Sequence, residues 1–385
     1  MSEMTRRNVF AAAAAAGGLM TVAAANAPQA LAQTQAGAVP SPLDGKELPS
    51  FRFALGAEKP KMMDGGHTKE QTAVNFPVSQ SIAGVLMTLQ PGTLRELHWH
   101  SNAAEWAYVI KGRCRITIID PQNHSQTVDF GPGDVWYFPR GFGHSIQSLG
   151  PGDCEFLLVF DNGYFSEFAT FSITDWLAHV PQEVLAKNFG VPAATLAGFP
   201  KREVYMVKGP VPPPLPADPA PGSLDVGSRT HRYRLLAQRP KTYPGGSIRL
   251  ASMREFPIST TMTGGLMRIK PGGLRELHWH PRADEWQYYL SGRTRMSVFG
   301  SRGRSRTDEF GPGDIGFIPR GYGHYIENIG NEDVVVVLAF NNGIYESISL
   351  TAWMASNTPL LLGTNFEVPE STFANFPKGE TTMPG

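Results

Sequence analysis

The stretch of sequence that decides the fold is LRELHWH at Leu94–His100, which is followed five residues later by Glu105. The same seven letters recur at Leu274–His280, shifted by 180 residues, and a glutamate again follows five positions on. Side chains at i and i+2 of an extended strand project from the same face. The two histidines of each stretch therefore point together, and the chain is predicted to contain two strands of this kind.

The repeat extends far beyond these histidines. With the same shift, the GPGD at Gly131–Asp134 recurs at Gly311–Asp314, and the register holds without a gap from Phe51 to Phe160. Beyond Phe160 the shift falls to 177, so the first copy carries three extra residues. A self-match of this length indicates a duplicated domain rather than a short solenoid unit. A chain of 385 residues also suits two domains of about 150 residues each.

The expected organisation has four parts: an N-terminal segment at residues 1–32, a first domain at 51–201, a linker at 202–230 and a second domain at 231–378. Proline recurs so often in Val211–Gly222 that this part of the linker is predicted to be an extended, semi-rigid spacer. The first domain is expected to be the catalytic one, for reasons given below.

Short strands and turns dominate each copy. Runs such as Arg115–Ile119 and Phe156–Phe160 are β-rich and are bounded by clusters of Pro, Gly, Asn and Asp. A helical pattern of apolar residues follows at Thr174–Phe189. We therefore predict an all-β dominated fold of two tandem jelly-roll barrels with short helical caps.

Residues 1–32 have the features of an export signal. Arg6 and Arg7 precede an alanine-rich, weakly apolar run that ends in small residues, and Ala32 is the favoured cleavage point. The twin arginines resemble the Tat signal of bacteria, so we expect export and a periplasmic or secreted protein. A membrane anchor is the alternative, but stable anchoring is not expected because the run is only weakly apolar.

Charge and cysteine content exclude several classes of protein. Lysine plus arginine (34) equals aspartate plus glutamate (34), so no basic face for nucleic acid is expected. Two cysteines are too few for a disulfide-rich scaffold or a four-cysteine zinc site. Cys114 and Cys154 are expected to be small, dispensable core residues, and a disulfide between them stays open.

Each copy contains the side chains of a metal site. The spacing is His-x-His, a glutamate five residues on and a histidine 39 residues beyond it, which gives the sets His98, His100, Glu105, His144 and His278, His280, Glu285, His324. Six of the ten histidines fall in these sets, so ordinary core histidines explain the pattern poorly. Three imidazoles and one carboxylate leave two positions open on an octahedral ion. That donor set suits manganese or ferrous iron better than calcium or a structural zinc.

The motifs that carry these ligands resemble those of the cupin superfamily. Gly92–Gly112 reads G-x5-H-x-H-x4-E-x6-G, Gly133–His144 reads G-x5-P-x-G-x2-H, and both patterns recur in the second copy. The chain beyond its N-terminal segment is similar to bacterial bicupin oxalate decarboxylases, notably in LRELHWH, EWAYVI and TDWLAH. The resemblance implies two cupin barrels and two Mn²⁺ ions per chain. It also implies the conversion of oxalate to formate and carbon dioxide, with dioxygen required but not consumed. The expected assembly is a homo-oligomer, either a trimer or a hexamer built from trimers.

The resemblance assigns a role to an arginine three residues before the first ligand. This residue is Arg95 in the first copy and Arg275 in the second, and it is expected to bind the carboxylate of the substrate. Simple strand alternation would place Arg95 on the face opposite His98. The role therefore requires a β-bulge between the two residues.

The proton-transfer glutamate of that family lies on a mobile lid with the motif Ser-Glu-Asn-Ser. The corresponding segment here is SEFA at Ser166–Ala169, within the region that carries the three extra residues, and it makes Glu167 the predicted catalytic acid and base. The second copy has NNGIYE at Asn341–Glu346, without a matching glutamate, and Glu346 is expected to be exposed. Catalysis is therefore expected at the first site only.

Two other functions stay open at this stage. In an oxalate oxidase the same fold yields carbon dioxide and hydrogen peroxide, because no acid is placed to return a proton to the intermediate. The changed lid residues Phe168 and Ala169 make this the principal alternative. A non-catalytic bicupin with a binding or storage role is the third reading, and the eight intact ligands count against it.

Overall fold

The structure is a computed structural model that describes residues 41–166, 169–216 and 230–385. Three predicted features lie outside the described residues: the export signal at 1–32, the lid glutamate Glu167 and the part of the linker at 217–229. Residues Ser41–Gly385 belong to one compact unit.

Antiparallel strands make up most of the described chain. The strands of its first half are Arg52–Phe53 (β1), Lys61–Met63 (β2), Gly66–Gln71 (β3), Ala83–Leu89 (β4), Leu94–His100 (β5), Glu105–Lys111 (β6), Cys114–Ile119 (β7), Ser125–Phe130 (β8), Asp134–Phe138 (β9), Gly143–Ser148 (β10), Cys154–Phe160 (β11), Thr170–Ser172 (β12) and Met206–Val207 (β13). Those of its second half are Arg232–Arg234 (β14), Lys241–Tyr243 (β15), Gly246–Ala251 (β16), Thr263–Ile269 (β17), Leu274–Trp279 (β18), Glu285–Ser291 (β19), Thr294–Phe299 (β20), Ser305–Phe310 (β21), Ile315–Ile318 (β22), Gly323–Asn328 (β23), Val334–Phe340 (β24) and Ile348–Ser349 (β25).

Two sheets form each barrel. The first barrel has the strand orders β14-β9-β6-β11-β4-β3-β2 and β12-β5-β10-β7-β8, and β13 also pairs with β5. The second has the orders β1-β22-β19-β24-β17-β16-β15 and β21-β20-β23-β18-β25. The predicted fold class of two tandem, β-dominated barrels is confirmed.

The barrels exchange a short strand, which the expected domain boundaries did not include. β1 pairs with β22 of the second barrel, and β14 pairs with β9 of the first. Arg52 also forms an ion pair with Asp314, with 2.8 Å between Nε and Oδ2. Residues 52–53 were placed in the first domain and 232–234 in the second, so each lies in the opposite sheet. A run of two or three residues is too short for its pattern to show which sheet edge it joins.

A common hydrophobic core joins the two barrels. Trp106 of the first barrel and Trp286 of the second occupy equivalent positions in the repeat, and both are fully buried. A β-carbon on Gly264 would overlap the Trp106 ring, and one on Gly84 would overlap Trp286. Each tryptophan therefore needs a glycine in the opposite barrel. The two barrels pack closely at these two equivalent tryptophan–glycine contacts.

Short helices follow the last long strand of each barrel. They are Ile173–Ala178 (α1), Gln182–Phe189 (α2), Leu350–Ala355 (α3) and Pro359–Phe366 (α4), with 3₁₀ turns at Pro42–Asp44, Leu55–Ala57, Ala193–Leu196, Leu235–Ala237 and Glu370–Phe373. The helical pattern predicted at Thr174–Phe189 is present as α1 and α2 but is not continuous. Pro181 separates α1 from α2, because proline lacks a backbone N–H and restricts the residue before it. Among the described helices, none is both long and apolar enough to cross a membrane.

Candidate metal centres

The four predicted ligands of the first copy meet inside its barrel. His98 and His100 lie on β5, Glu105 begins β6, and His144 of β10 lies directly opposite His98. Each is at most 5% exposed. One ligand atom from each residue lies within 4.8 Å of those from the other three. Glu105 is five residues from His100, and an odd spacing on one strand would place it on the opposite face. The connection at 101–104 instead brings Glu105 onto the neighbouring strand, where it faces the histidines.

Hydrogen bonds orient the three imidazole rings. Each Nδ1 lies near an oxygen atom: 2.6 Å from the Glu96 carbonyl for His98, 3.0 Å from the Thr170 hydroxyl for His100 and 2.9 Å from the Phe142 carbonyl for His144. A carbonyl oxygen can only accept, so Nδ1 of His98 and His144 donates its proton. The Nε2 atom of these two rings then keeps its lone pair, which is the state a metal ligand needs.

The electrostatics of the first centre also keep the ligands deprotonated. Burial lowers the pKa of His98 well below its usual value and that of His100 to about 4. Burial alone would raise the pKa of Glu105, but His144 and His100 beside it hold that pKa below its usual range. Neutral imidazoles and an ionised carboxylate are the forms that bind a metal ion.

One buried atom gives a direct test of whether a cation fits here. His144 Nε2 is buried without a hydrogen-bond partner among the described residues. It lies 3.5 Å from Glu105 Oε2, at the centre of the ligand set. An unpaired buried nitrogen is costly in a folded protein unless another group satisfies it. A divalent cation accounts for this atom, and the donor set of three nitrogens and one oxygen suits it.

The second barrel repeats this arrangement. His278 of β18 lies opposite His324 of β23, Glu285 begins β19, and His280 follows β18. Glu285 Oε2 lies 2.8 Å from His280 Nε2 and 3.1 Å from His324 Nε2. Burial lowers the pKa of His278, whereas His280 and His324 hold the pKa of Glu285 well below its usual value against the effect of burial. The chain therefore has two His₃Glu metal-binding sites.

The carboxylate ligands have different hydrogen-bond donors in the two centres. Trp136 of β9 donates its indole N–H to Glu105 Oε1 at 2.7 Å. In the second centre Gln287 donates to Glu285 Oε1 at 2.8 Å, and Tyr289 donates to Gln287 at 2.6 Å. The position equivalent to Trp136 is Gly316, where a β-carbon would lie 2.6 Å from the Gln287 amide oxygen. These supporting residues were not predicted from the sequence, although the departures from the repeat at these positions are visible there.

The bulge that Arg95 requires is present. His98 pairs with His144 and Arg95 with Ile146, so three steps along β5 match two along β10. Leu97 lies on the outer face by ordinary alternation and is 50% exposed, whereas the extra residue returns Arg95 to the interior, where it is 2% exposed. The second barrel has the same irregularity between Arg275 and His278.

Arg95 is held in place without a carboxylate partner among the described residues. It donates from Nη1 to the Tyr205 carbonyl at 3.2 Å, and its guanidinium carbon lies 3.7 Å from the centre of the Tyr205 ring. The Glu96 carboxylate accepts the backbone N–H of Tyr205 at 2.6 Å and so holds this segment against β5. A buried guanidinium with unused N–H groups is suited to bind an anion.

Arg275 has a different environment. It donates to the Thr382 carbonyl at 3.3 Å and to the Ser347 hydroxyl at 3.5 Å. The Glu276 carboxylate lies 3.8 Å away and partly neutralises its charge. Arg275 therefore has more polar partners among the described residues than Arg95 has.

Tyr205 falls in the predicted linker and was missed as a site residue. A signal was present, because the repeat continues through FPK at Phe199–Lys201 and Phe376–Lys378 and through Met206 and Met383 with the shift of 177. The segment after each FPK folds back onto its own barrel, so the linker that was predicted to begin at residue 202 begins later in the structure.

Aromatic rings close the inner cavity of the first centre. Phe165 stacks on Phe160 with 3.7 Å between ring centres and contacts His100 edge-on. A residual cavity of about 20 Å³ lies beside Arg95, His98 and His100. At the second centre Tyr345 takes the place of Phe165 and contacts the His280 ring at 5.6 Å. The first centre is therefore nearly filled in this conformation.

The carboxylate of Glu346, in the second copy, is not directed at the metal ligands. That carboxylate forms an ion pair with Arg282, with 2.7 Å between Oε2 and Nε, and its side chain is 39% exposed. Only its backbone carbonyl reaches the centre, where it lies 2.7 Å from His280 Nδ1. The geometry does not support Glu346 as an alternative proton donor.

Comparisons with known proteins agree with this geometry. The cupin family model matches residues 53–196 and 233–372. The oxalate decarboxylase OxdC of Bacillus subtilis is 44% identical over 317 residues, which are 82% of each chain, and a probable oxalate decarboxylase of Arthroderma benhamiae is 34% identical over 85% of this chain and 81% of its own. The structure of the Bacillus subtilis enzyme at pH 4.6 superposes with a TM-score of 0.83 at 40% identity, covering 90% of both chains.

A second structure of that enzyme has a TM-score of 0.82 and comes from a study of its Mn(II) centres, at 40% identity over 90% of this chain and 91% of its own. The family match covers both barrels and both ligand sets, and the similarity to the curated relative extends over most of the chain. The chain therefore belongs to the cupin family and, within it, to the bicupin oxalate decarboxylases.

Proposed function

We propose that this protein is a manganese-dependent oxalate decarboxylase that converts oxalate to formate and carbon dioxide at its first centre. The observation that carries the proposal is Arg95, a buried guanidinium without a carboxylate partner among the described residues, in the same cavity as His98 and His100. A small dianion or monoanion satisfies such a group better than a neutral substrate does. Membership of the family supplies the choice of oxalate.

Bound manganese would be held by His98, His100, Glu105 and His144, and it would supply a coordination position for a substrate oxygen and one-electron chemistry. Arg95 binds the free carboxylate of oxalate and orients the carbon–carbon bond. Phe160 and Phe165 exclude water from the ligand rings. Dioxygen is proposed as a required partner that is not consumed.

The proton balance defines the task of the lid. Hydrogen oxalate loses carbon dioxide when its carbon–carbon bond breaks, and the proton it brought must end on the carbon of formate. Glu167 is proposed to accept this proton and return it, as a general base and then a general acid. Its neighbour Ser166 is linked to the ligand His100 through Thr170, whose hydroxyl donates to the Ser166 carbonyl at 3.5 Å and lies 3.0 Å from His100 Nδ1.

A product assay tests the proposal against its alternatives. Purified protein is incubated with Mn²⁺ and oxalate in air at mildly acidic pH, and formate and hydrogen peroxide are both measured. Formate without peroxide is the expected result. Peroxide as the main product would make the protein an oxalate oxidase, and neither product would leave a binding or storage role.

We also propose a homo-oligomer, a trimer or hexamer, assembled through an apolar face that each barrel presents. Leu97, Trp99 and Trp176 line an open groove of about 390 Å³ in the first barrel. The equivalent residues of the second barrel line a groove of about 400 Å³. Leu97 and Trp176 are among the most exposed large apolar side chains of the described residues. Because the patch occurs twice in one chain, a second copy of the chain is its natural partner.

Light scattering after size-exclusion chromatography tests this assembly. The native protein is expected at three or six times the chain mass, and Trp176→Glu combined with Trp353→Glu is expected to give monomers that keep their thermal transition. A native protein that runs as a monomer at micromolar concentration would contradict the proposal.

Export by the Tat system, to the periplasm or beyond, is the last part of the proposed function. The twin arginines Arg6 and Arg7 and the alanine-rich run support it. Residues 1–40 fused to a reporter should direct it out of the bacterial cytoplasm, and Arg6→Lys with Arg7→Lys should retain it. Export of the lysine variant at the original level would remove the twin-arginine assignment.

A further inference from the structure

A cationic pocket lies on the second barrel, apart from the ligands already described. It encloses about 170 Å³ and is lined by Arg239, Lys241 and Arg254, with Tyr345 as part of its wall. These three cationic side chains have no hydrogen-bond or ion-pair partner within the part of the chain that the structure describes. One acidic residue, Glu255, shares the lining, and its Oε2 already accepts from the Ser252 hydroxyl at 2.6 Å. The pocket therefore carries an excess of positive charge.

The first barrel does not have this excess at the equivalent surface. Lys59 and Lys61 take the places of Arg239 and Lys241, but Glu58 and Glu70 stand where the second barrel has Gln238 and Leu250. Lys61 and Glu70 form an ion pair at 2.7 Å. Two cations thus face two carboxylates in the first barrel, whereas three cations face one in the second. Duplication of the fold cannot explain the charge of this pocket, since its counterpart is balanced.

The pocket lies next to the second metal centre. The Tyr345 ring contacts both the ligand His280, at 5.6 Å between ring centres, and Phe340, at 5.1 Å. Tyr345 also lines the pocket. The pocket and the ligand His280 therefore share one neighbouring residue, Tyr345.

We propose that this pocket binds small carboxylate anions, of the size of formate or oxalate, beside the second metal centre. Converging cations in a partly enclosed cavity concentrate anions, because the low-dielectric walls focus the field. The volume admits a molecule of a few heavy atoms with its hydration water. The choice of carboxylates among small anions rests on the proposed function, whereas the charge of the pocket does not.

Equilibrium dialysis of the metal-loaded, full-length protein with carbon-14 formate tests this site. The triple variant Arg239→Gln, Lys241→Gln, Arg254→Gln removes the cations, and Lys59→Gln, Lys201→Gln, Lys378→Gln is a control that removes the same charge from exposed positions elsewhere. We expect the pocket variant to lose one formate site per chain or to bind there at least about tenfold more weakly, as for the loss of several exposed charge contacts. The control is expected to bind as the native protein does.

Two outcomes would overturn the proposal: unchanged binding in the pocket variant, or an equal loss in the control, which would reveal a general charge effect. Unlabelled oxalate should displace the formate, and displacement by inorganic phosphate alone would contradict the assignment to carboxylates. Melting temperatures of all three proteins check that each is folded. Formate production from oxalate is measured on the same preparations, so a protein that binds the anion but makes no formate would refute the proposed function while the pocket stands.

Discussion

The two metal centres have the same ligands in the same register but different supporting residues. In the first, the ligand Glu105 is held by an indole from the neighbouring strand, and Arg95 forms no ion pair with a described residue. In the second, Glu285 is held by Gln287 of its own strand, and Glu276 lies 3.8 Å from Arg275. Ligand geometry is thus shared by both copies, whereas the groups that would act on a substrate differ.

The comparison shows how a duplicated site can specialise without losing its metal. Gly316 stands where the first copy has Trp136, and the Gln287 side chain occupies the space beside it. The ligand carboxylate therefore keeps a hydrogen bond, but from a different donor. Changes at the arginine and at the lid have no such compensation. We infer that both centres bind metal and that the chemistry is assigned to the first.

Loss of a metal ligand should have the largest effect on activity and should distinguish the roles of the two centres most clearly. His98→Ala is expected to empty the first centre and abolish turnover, because a His₃Glu site that lacks one imidazole keeps only three of its four ligands. His278→Ala should lower total metal content and thermal stability but leave activity per filled first centre. Metal analysis and formate assay measure both. Complete loss of activity in His278→Ala with the first centre filled would show that the second centre is catalytic or obligatorily coupled.

Glu167→Gln should have the next largest effect. The change keeps the size of the side chain and removes its proton, so formate production should fall at least about a hundredfold, the usual scale for a general acid–base group. Metal content should not change, and the residual turnover should shift toward hydrogen peroxide. Ser166→Ala serves as a lid control that retains the acid. Formate production at the native rate would exclude Glu167 as the proton relay.

The stability of the metal-free protein should depend on pH through the buried histidines. Burial lowers the pKa of His100 from 6.5 to about 4 and that of His98 as well. Between these values the unfolded chain binds protons that the folded chain does not, so stability is lost as the pH falls from about 6.5 toward about 4. Melting of chelator-treated protein at several pH values measures this. A melting temperature that is constant over this range would be inconsistent with neutral, buried rings, and metal-loaded protein is the control.

Removal of a carboxylate donor should have a smaller effect, confined to one centre. Trp136→Phe removes the hydrogen bond to Glu105 and should weaken metal binding at the first centre by about tenfold, the lower end for outer-shell changes. Gln287→Met is the matched change for the second centre. Competition with a chelator gives both affinities. Equal weakening of both centres by either single change would show that the donors do not act locally.

The cysteines should have the smallest effect. Cys114 and Cys154 are buried free thiols in the core of the first barrel, and the hydrogen bond between them together with burial raises the pKa of Cys114. The double variant Cys114→Ser, Cys154→Ser should keep its activity, because neither residue is a ligand and the second barrel has Thr294 and Val334 there. Loss of activity in a normally folded double variant would contradict this.

Spacing was sufficient to predict the ligand sets because the chain is duplicated. His98 and His100 share a face by strand alternation, and the recurrence of the pattern at His278 and His280 makes coincidence a poor explanation. The need for a bulge beside Arg95 also followed from alternation alone. The break in the helix at Pro181 was readable from the sequence and was missed, because the apolar pattern was weighed more heavily than the proline.

The sequence by itself therefore determined the duplication, the two barrels, the ligands and the family. These follow from spacing along the chain, because the two-residue period of a strand and the 180-residue shift of the repeat can both be read directly from the sequence. Only the tertiary structure decided the exchange of β1 and β14, the folding of Tyr205 over Arg95, the partners of the carboxylate ligands and the cationic pocket beside Tyr345. Apart from the Gln287 donor to Glu285, which lies two residues away, each of these joins residues that are distant in the chain. Their proximity follows from the closure of the barrels and the packing of their faces, which no local pattern records.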